Sequence, residues 1–327
     1  MNNKYYPMNS AEVLDQVMEV YKKSFFKQLA VSVIFNIIFI VVFFIILFVS
    51  LIAMAAWFTG IATQTGLGAG SIIMIAGFMI FLLLGLSVYE ALTGTGNALV
   101  TKQVFLGEHC KIGSVIKNTF KKMWIATAAA VANLIVFLPA FLVVGALIYL
   151  YITTLMRFDN WMNLSVAFTI TSVIVLIVIV LAFFIICGTI TMMSLSVAIF
   201  EGKWFFGAVK RSFALARPDF WKLVGLMAVW SVVTAVASYG IESFFSISSI
   251  LIPYLLPQEI AFSLARITGS AQLVFSLALT MLLFPLSGIF FTLVYINQRI
   301  KHEGLDIELN LSALRTSMYI DQHSDKE

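Results

Sequence analysis

Long apolar stretches separated by short basic segments constrain this 327-residue chain more than any motif in it. Eighteen of its 20 Lys and Arg residues fall near 4–27, 102–122, 203–222 and 299–326, and the sequence between these segments is almost free of charge. Each such stretch is long enough for two membrane crossings, since a helical span needs about 20 mainly apolar residues. Short segments rich in Lys and Arg stay on the cytoplasmic side. The chain must therefore leave and return between each pair of them. The expectation is an all-α integral membrane protein with six transmembrane helices, roughly 29–57, 71–98, 124–151, 165–199, 223–246 and 271–297, and both termini cytoplasmic. Only Arg157 and Arg266 fall on the opposite side.

With 61% hydrophobic and 11% charged residues, the chain is far from the roughly 25% charge of soluble domains. No large soluble domain is expected. A single membrane domain, 1–310, is followed by a polar cytoplasmic tail, 311–327. The net charge of +4 conceals a partition: the inner segments hold 18 basic and 12 acidic residues, the remainder 2 and 4. That basic surplus suits anionic lipid, where each such side chain near the surface contributes about 1 kcal/mol, and gives no reason to expect nucleic acid. The first apolar stretch starts near Gln28 without a small-residue cleavage site behind a short core, so it reads as an uncleaved span. Cys110 in a basic segment and Cys187 inside the fourth span differ in depth, which argues against a disulfide or a metal site. No cofactor is expected.

Basic amphipathic segments precede the outward spans, three of them in all. Leu14, Val17, Tyr21 and Phe25 recur at helical spacing behind Ser10 as an N-cap; Ile112, Val115, Ile116, Phe120 and Met123 oppose Lys111, Lys117, Lys121 and Lys122; Phe206, Val209 and Phe213 oppose Lys210 and Arg211 until Pro218. An apolar stripe flanked by Lys and Arg suits a helix lying in the membrane interface. Ile112-Gly113-Ser114-Val115 with Lys117-Asn118-Thr119-Phe120 matches Phe206-Gly207-Ala208-Val209 with Lys210-Arg211-Ser212-Phe213, and Lys22-Lys23-Ser24-Phe25 echoes the ending. The pattern suggests a threefold parallel repeat in units of about 8–100, 101–202 and 203–305. Outside, the segment after Pro257 reads as a short surface helix.

Convergent polar groups are scarce. His109, His302 and His323 lie in inner segments without metalloprotease spacing, and neither a GxSxG elbow nor a Walker lysine occurs. Gly66-Leu67-Gly68-Ala69-Gly70 reads as a turn between spans, and Gly94-Thr95-Gly96-Asn97 as a close helix contact. Glu90 stands twelve residues before Lys102, where an ionisable group is a functional candidate. Two readings stand for it: a relay carboxylate in a central cavity with Tyr89 and Asn97 as polar neighbours, or a Glu beyond the membrane surface bonded to water or an inner basic residue. Pro285 is expected to kink the sixth span. Lys117, Lys121, Lys122, Lys210, Arg211 and Arg299 are the candidates for docking lipid or a partner.

Tyr295-Ile296-Asn297-Gln298-Arg299-Ile300-Lys301-His302-Glu303-Gly304-Leu305-Asp306, taken with Ser212-Phe213-Ala214-Leu215-Ala216-Arg217 and Phe220-Trp221-Lys222-Leu223, resembles a family of Gram-positive-type bacterial multi-span proteins. That family is related to the membrane domain fused to some glycerophosphoryl diester phosphodiesterases. In it the Tyr-x-x-x-Arg and Glu-Gly-Leu-Asp pattern closes the last membrane helix; here Asn297 stands where an acidic residue is frequent. The resemblance implies a plasma-membrane protein but not phosphodiesterase activity, because only 28 residues follow Arg299 and a TIM-barrel catalytic domain needs about 250. The expected function is a non-enzymatic scaffold or accessory protein of a membrane complex; the alternative is a permease subunit working with a separate ATPase, since no ATP-binding motif is present.

Overall fold

The computed structural model describes residues 6–61, 69–157, 166–255 and 258–311. Among these the fold is helical: α1 (Ser10–Ile61), α2 (Ala69–Leu106), α3 (Ile112–Arg157), α4 (Val166–Thr191), α5 (Ser194–Glu201), α6 (Phe206–Ala216), a 3-10 turn (Arg217–Asp219), α7 (Phe220–Leu255) and α8 (Gln258–Glu303). Five helical stretches are long and apolar enough to cross a membrane: Ser10–Ile45, Ile112–Tyr149, Ile170–Glu201, Phe206–Ser248 and Arg266–Glu303. The part of α2 whose surroundings are described is more polar, with Glu90, Thr93, Thr95, Asn97 and Thr101 in it, and does not reach the same hydropathy. The Gly66–Gly68 part of the glycine run, Asp159 and Trp161, and the tail from 312 onward lie outside the described residues.

All four basic segments meet at one end of the bundle. Met8 and Asn297 exchange hydrogen bonds of 2.8 and 3.0 Å, Lys122 reaches the carbonyl of Ile199 at 2.6 Å, Lys102 lies 5.1 Å from the centre of the Phe200 ring, and Arg211 pairs with Glu303. The helices leave and return to this charged end. α2 runs antiparallel to α1, as shown by Gln28 donating to Thr101 and Tyr89 donating to Asn36; α8 runs antiparallel to α7, with Trp230 stacked on Phe290 at 4.4 Å and Ser276 donating to Glu242.

The amphipathic segments differ from the interfacial helices expected of them. Those of α1 and α3 continue without a break into their spans and pack part of their stripes against protein: Val13, Val17 and Val20 are buried in one core, Val115 with the half-buried Ile112 and Ile116 in another, while Phe120 stays exposed. Hydrophobic spacing alone does not say whether lipid or protein covers a stripe. Only α6 is a separate helix, ended by the turn that carries Pro218, and it buries Ala208, Ser212 and Leu215 while Phe206 and Phe213 stay exposed. The N-cap of α1 is Asn9 rather than Ser10: the Asn9 side chain accepts from the Glu12 amide and Glu12 accepts from the Asn9 amide, both at 2.9 Å, a reciprocal pair that Ser10 has no Glu three residues on to form. The segment after Pro257, expected as a separate surface helix, is the first part of α8.

The fourth apolar stretch breaks at Met192 and Met193, between α4 and α5. Thr191 turns its hydroxyl back onto the Cys187 carbonyl at 3.1 Å, a bond that bends helices, and Ser194 spends its own on the side chain of Asn133 at 2.7 Å. After this break α5 packs against α2. There Gly94 admits Leu195, Gly96 admits Val31 and Phe35, and Gly288 of α8 admits Asn97; a Cβ at the first two would sit 2.4 and 2.6 Å from its neighbour. Close approach of small residues is the usual adhesive between membrane helices, where apolar burial gives little driving force. α2 is thereby the hub that α1, α5 and α8 pack against.

Candidate functional site: a cavity beside Glu90

Between α2, α3, α4, α5, α7 and α8 the packing opens into a cavity of about 470 Å³. Its wall is mostly apolar, with Phe137, Phe184, Met192, Met227 and Phe291 among the contributors. The lining residues span 90–98 on α2, 133–141 on α3 and 284–292 on α8. Eight residues at 1.5 Å each make the space about 12 Å tall. The broken helix supplies the floor near the charged end, through Thr191, Met192, Leu195 and Ser196.

Glu90 is the single ionisable side chain in this wall. Among the described residues its carboxyl has neither a hydrogen bond nor an ion pair. Its side chain is exposed, on the same helix face as the exposed Leu83 and Leu86. Glu90 therefore stands at the edge of the cavity, on the outer flank of α2. Asn133 accepts from Ser194 and its NH2 has no bond among the described residues, while Thr191 and Thr292 donate to their own helices and offer only lone pairs.

Tyr89 and Asn97 do not join Glu90. Neighbouring positions on a helix differ by about 100°, and these two face a separate buried seam against α1. Tyr89 donates to Asn36 at 2.9 Å, Ser32 donates to Asn97 at 3.3 Å, and Gln28 donates to Thr101 at 3.1 Å. Asn97 is fully buried, and its NH2 has no partner among the described residues. Pro285 is buried in α8, and Tyr21 donates at 3.0 Å to the Leu282 carbonyl, next to the carbonyl that the proline leaves without its usual donor.

The basic candidates divide in two. Lys117, Lys121 and Lys210 are exposed. Arg211 and Arg299 are held inside a network: Arg211 binds Glu201 at 2.9 Å and also Glu303, Arg299 binds Glu303 at 2.9 Å, and Tyr295 donates to Glu201 at 3.1 Å. Lys122 donates to the Ile199 carbonyl near the C-terminal end of α5, where a cation complements the helix dipole. Glu201, Asn133 and Ser194 carry this architecture and were not singled out by sequence. The one available signal was Asn133 itself, an amide in an otherwise apolar run.

Comparison with models of protein families, with curated proteins and with solved structures gives no match. The family relation carried by Tyr295–Asp306 therefore remains a proposal.

Proposed function

We propose that this chain is a non-enzymatic six-span protein of a bacterial plasma membrane that binds an amphiphilic small molecule between its helices, as the membrane part of a transport assembly. The cavity beside Glu90 carries this reading. Its volume falls within the roughly 300–1,000 Å³ of small-molecule sites, and an apolar wall with a few polar groups is their usual composition. α2, antiparallel to α1, is the sixth crossing. The charged end is cytoplasmic by the 18-to-2 distribution of Lys and Arg, which puts both termini inside, and the bacterial setting rests on the resemblance.

The test uses a twelve-carbon alcohol bearing a photoreactive diazirine, with the full chain in nanodiscs and labelled positions mapped by mass spectrometry. The expected result is labelling of Met192 and Thr292, inside the cavity, that Ser196→Phe suppresses. Labelling confined to lipid-facing positions such as Ile174 and Val178 would refute a ligand site.

A second reading, a scaffold docked on anionic lipid or a partner protein, draws on the exposed Lys117, Lys121 and Lys210 beside Trp124, Trp204 and Trp221, which are 70%, 59% and 76% exposed. A separate ATPase would bind this same face. Crosslinking in cells followed by purification separates the two: a stoichiometric ATPase lost on Lys210→Glu supports transport, and recovery of the chain with anionic lipid alone supports the scaffold. Arg211 is unsuitable for this test because its charge holds Glu201 and Glu303.

A further inference from the structure

Which amphiphile the cavity takes follows from what shares a level with Glu90. α2, α4 and α8 all run toward the charged end, so the lowest-numbered lining residue of each lies at the opposite end of the cavity: Glu90, Phe184 and Phe284. α3 runs the other way, and its highest-numbered lining residue, Phe141, belongs to the same level. Ring contacts support this register. Tyr89, next to Glu90, lies 5.7 Å from Phe284, and Phe141 meets Phe184 edge to face at 5.3 Å. One carboxylate and three phenyl rings thus gather at one end, and hydroxyls of Thr191, Ser196 and Thr292 lie at the other.

We propose that the cavity selects a compact organic cation with an apolar body, its ammonium held at Glu90 among Phe141, Phe184 and Phe284 and its body extending toward Met192 and Thr292. This deepens the ligand-binding reading above and rests on it. An ionised carboxylate at this depth is costly without a counter-charge, and no side chain among the described residues supplies one. A ligand ammonium supplies it. Phenyl faces carry negative quadrupole density that attracts the same cation, whereas an anionic headgroup would meet the carboxylate and the rings as repulsion. Leu83 and Leu86 on the same face of α2, 41% and 55% exposed, set the carboxylate at the lipid-facing flank of the bundle, so the ligand would enter from the bilayer. The space is smaller than a two-chain phospholipid, so a single-chain or compact amine is the fitting class.

The test compares three diazirine probes of equal chain length, an amine, an alcohol and a carboxylic acid, by half-maximal labelling of Met192 and Thr292 in nanodiscs. The amine is expected to label at about tenfold lower concentration than the alcohol, the scale of one desolvated charge contact, and the acid weakest of the three. Glu90→Gln should bring the amine to the level of the alcohol; Glu90→Asp should keep part of the advantage. Phe284→Leu, which leaves the carboxylate in place, should reduce the advantage about threefold through the lost ring face. Equal labelling by amine and alcohol, or an amine advantage that survives Glu90→Gln, overturns the cation proposal while alcohol labelling keeps the cavity reading. Absence of labelling by all three probes at these positions overturns both.

Discussion

The charged half of the bundle and the apolar half are built on different principles. In the charged half, helices meet through buried side chains and named polar contacts: Tyr295, Phe290 and Met193 in the core, Arg211 and Arg299 on Glu201 and Glu303, Asn297 on the Met8 backbone. In the apolar half of α1, α4 and α7, large side chains such as Phe48, Ile177 and Val236 face outward. Lipid tails are as apolar as these residues, so the apolar half needs only hydrophobicity, whereas the charged half needs specific partners. The cavity lies where the second regime gives way to the first. Packing that loosens there costs less than it would deeper in the core.

Substitutions sharpen or break this contrast in a definite order. The largest effect is expected from Gly96→Leu, which forces atoms into Val31 and Phe35 from a Cβ only 2.6 and 2.9 Å away; overpacking of this kind should cost about 3 kcal/mol and leave little monodisperse protein in size-exclusion chromatography. Next comes Glu201→Gln, which removes the carboxylate charge that Arg211 and Tyr295 donate to, at a side chain only 14% exposed. A loss of about 2 kcal/mol in reversible unfolding in detergent is expected, against no measurable loss for the exposed Lys23 partner Glu19. Tyr89→Phe removes one interhelical hydrogen bond to Asn36 and should cost about 0.6 kcal/mol, the average for such bonds in membranes. Ile177→Val, in the lipid-facing half, should stay within about 0.5 kcal/mol of the parent. An Ile177 substitution as costly as Glu201→Gln would show that the apolar half is also specifically packed.

The sequence made some of this legible and hid the rest for physical reasons. Charge partition located the helices and their common end, because hydrophobic length and Lys/Arg position are local quantities. Glu90 stood out because a carboxylate in an apolar run is anomalous by itself. The pairing of Arg211 with Glu303, 92 residues apart, has no local signature, so Arg211 reads from sequence as a docking group, whereas Arg299 and Glu303 stand four apart on one helix face. The break at Met192–Met193 was equally hidden, since the contact beside it, Ser194 donating to the Asn133 side chain, joins residues 61 positions apart. Tyr89 and Asn97 were assigned to Glu90 by proximity in sequence, and helical geometry turned them toward α1 instead.

Electron cryomicroscopy of the full chain in nanodiscs of native lipid tests the central claim most directly. The account predicts an elongated density between α3, α4 and α8 with one end against Glu90 and the rings of Phe184 and Phe284. A closed interface there, with α3 and α4 packed directly onto α8 and the Glu90 carboxyl turned to a basic side chain, would contradict it.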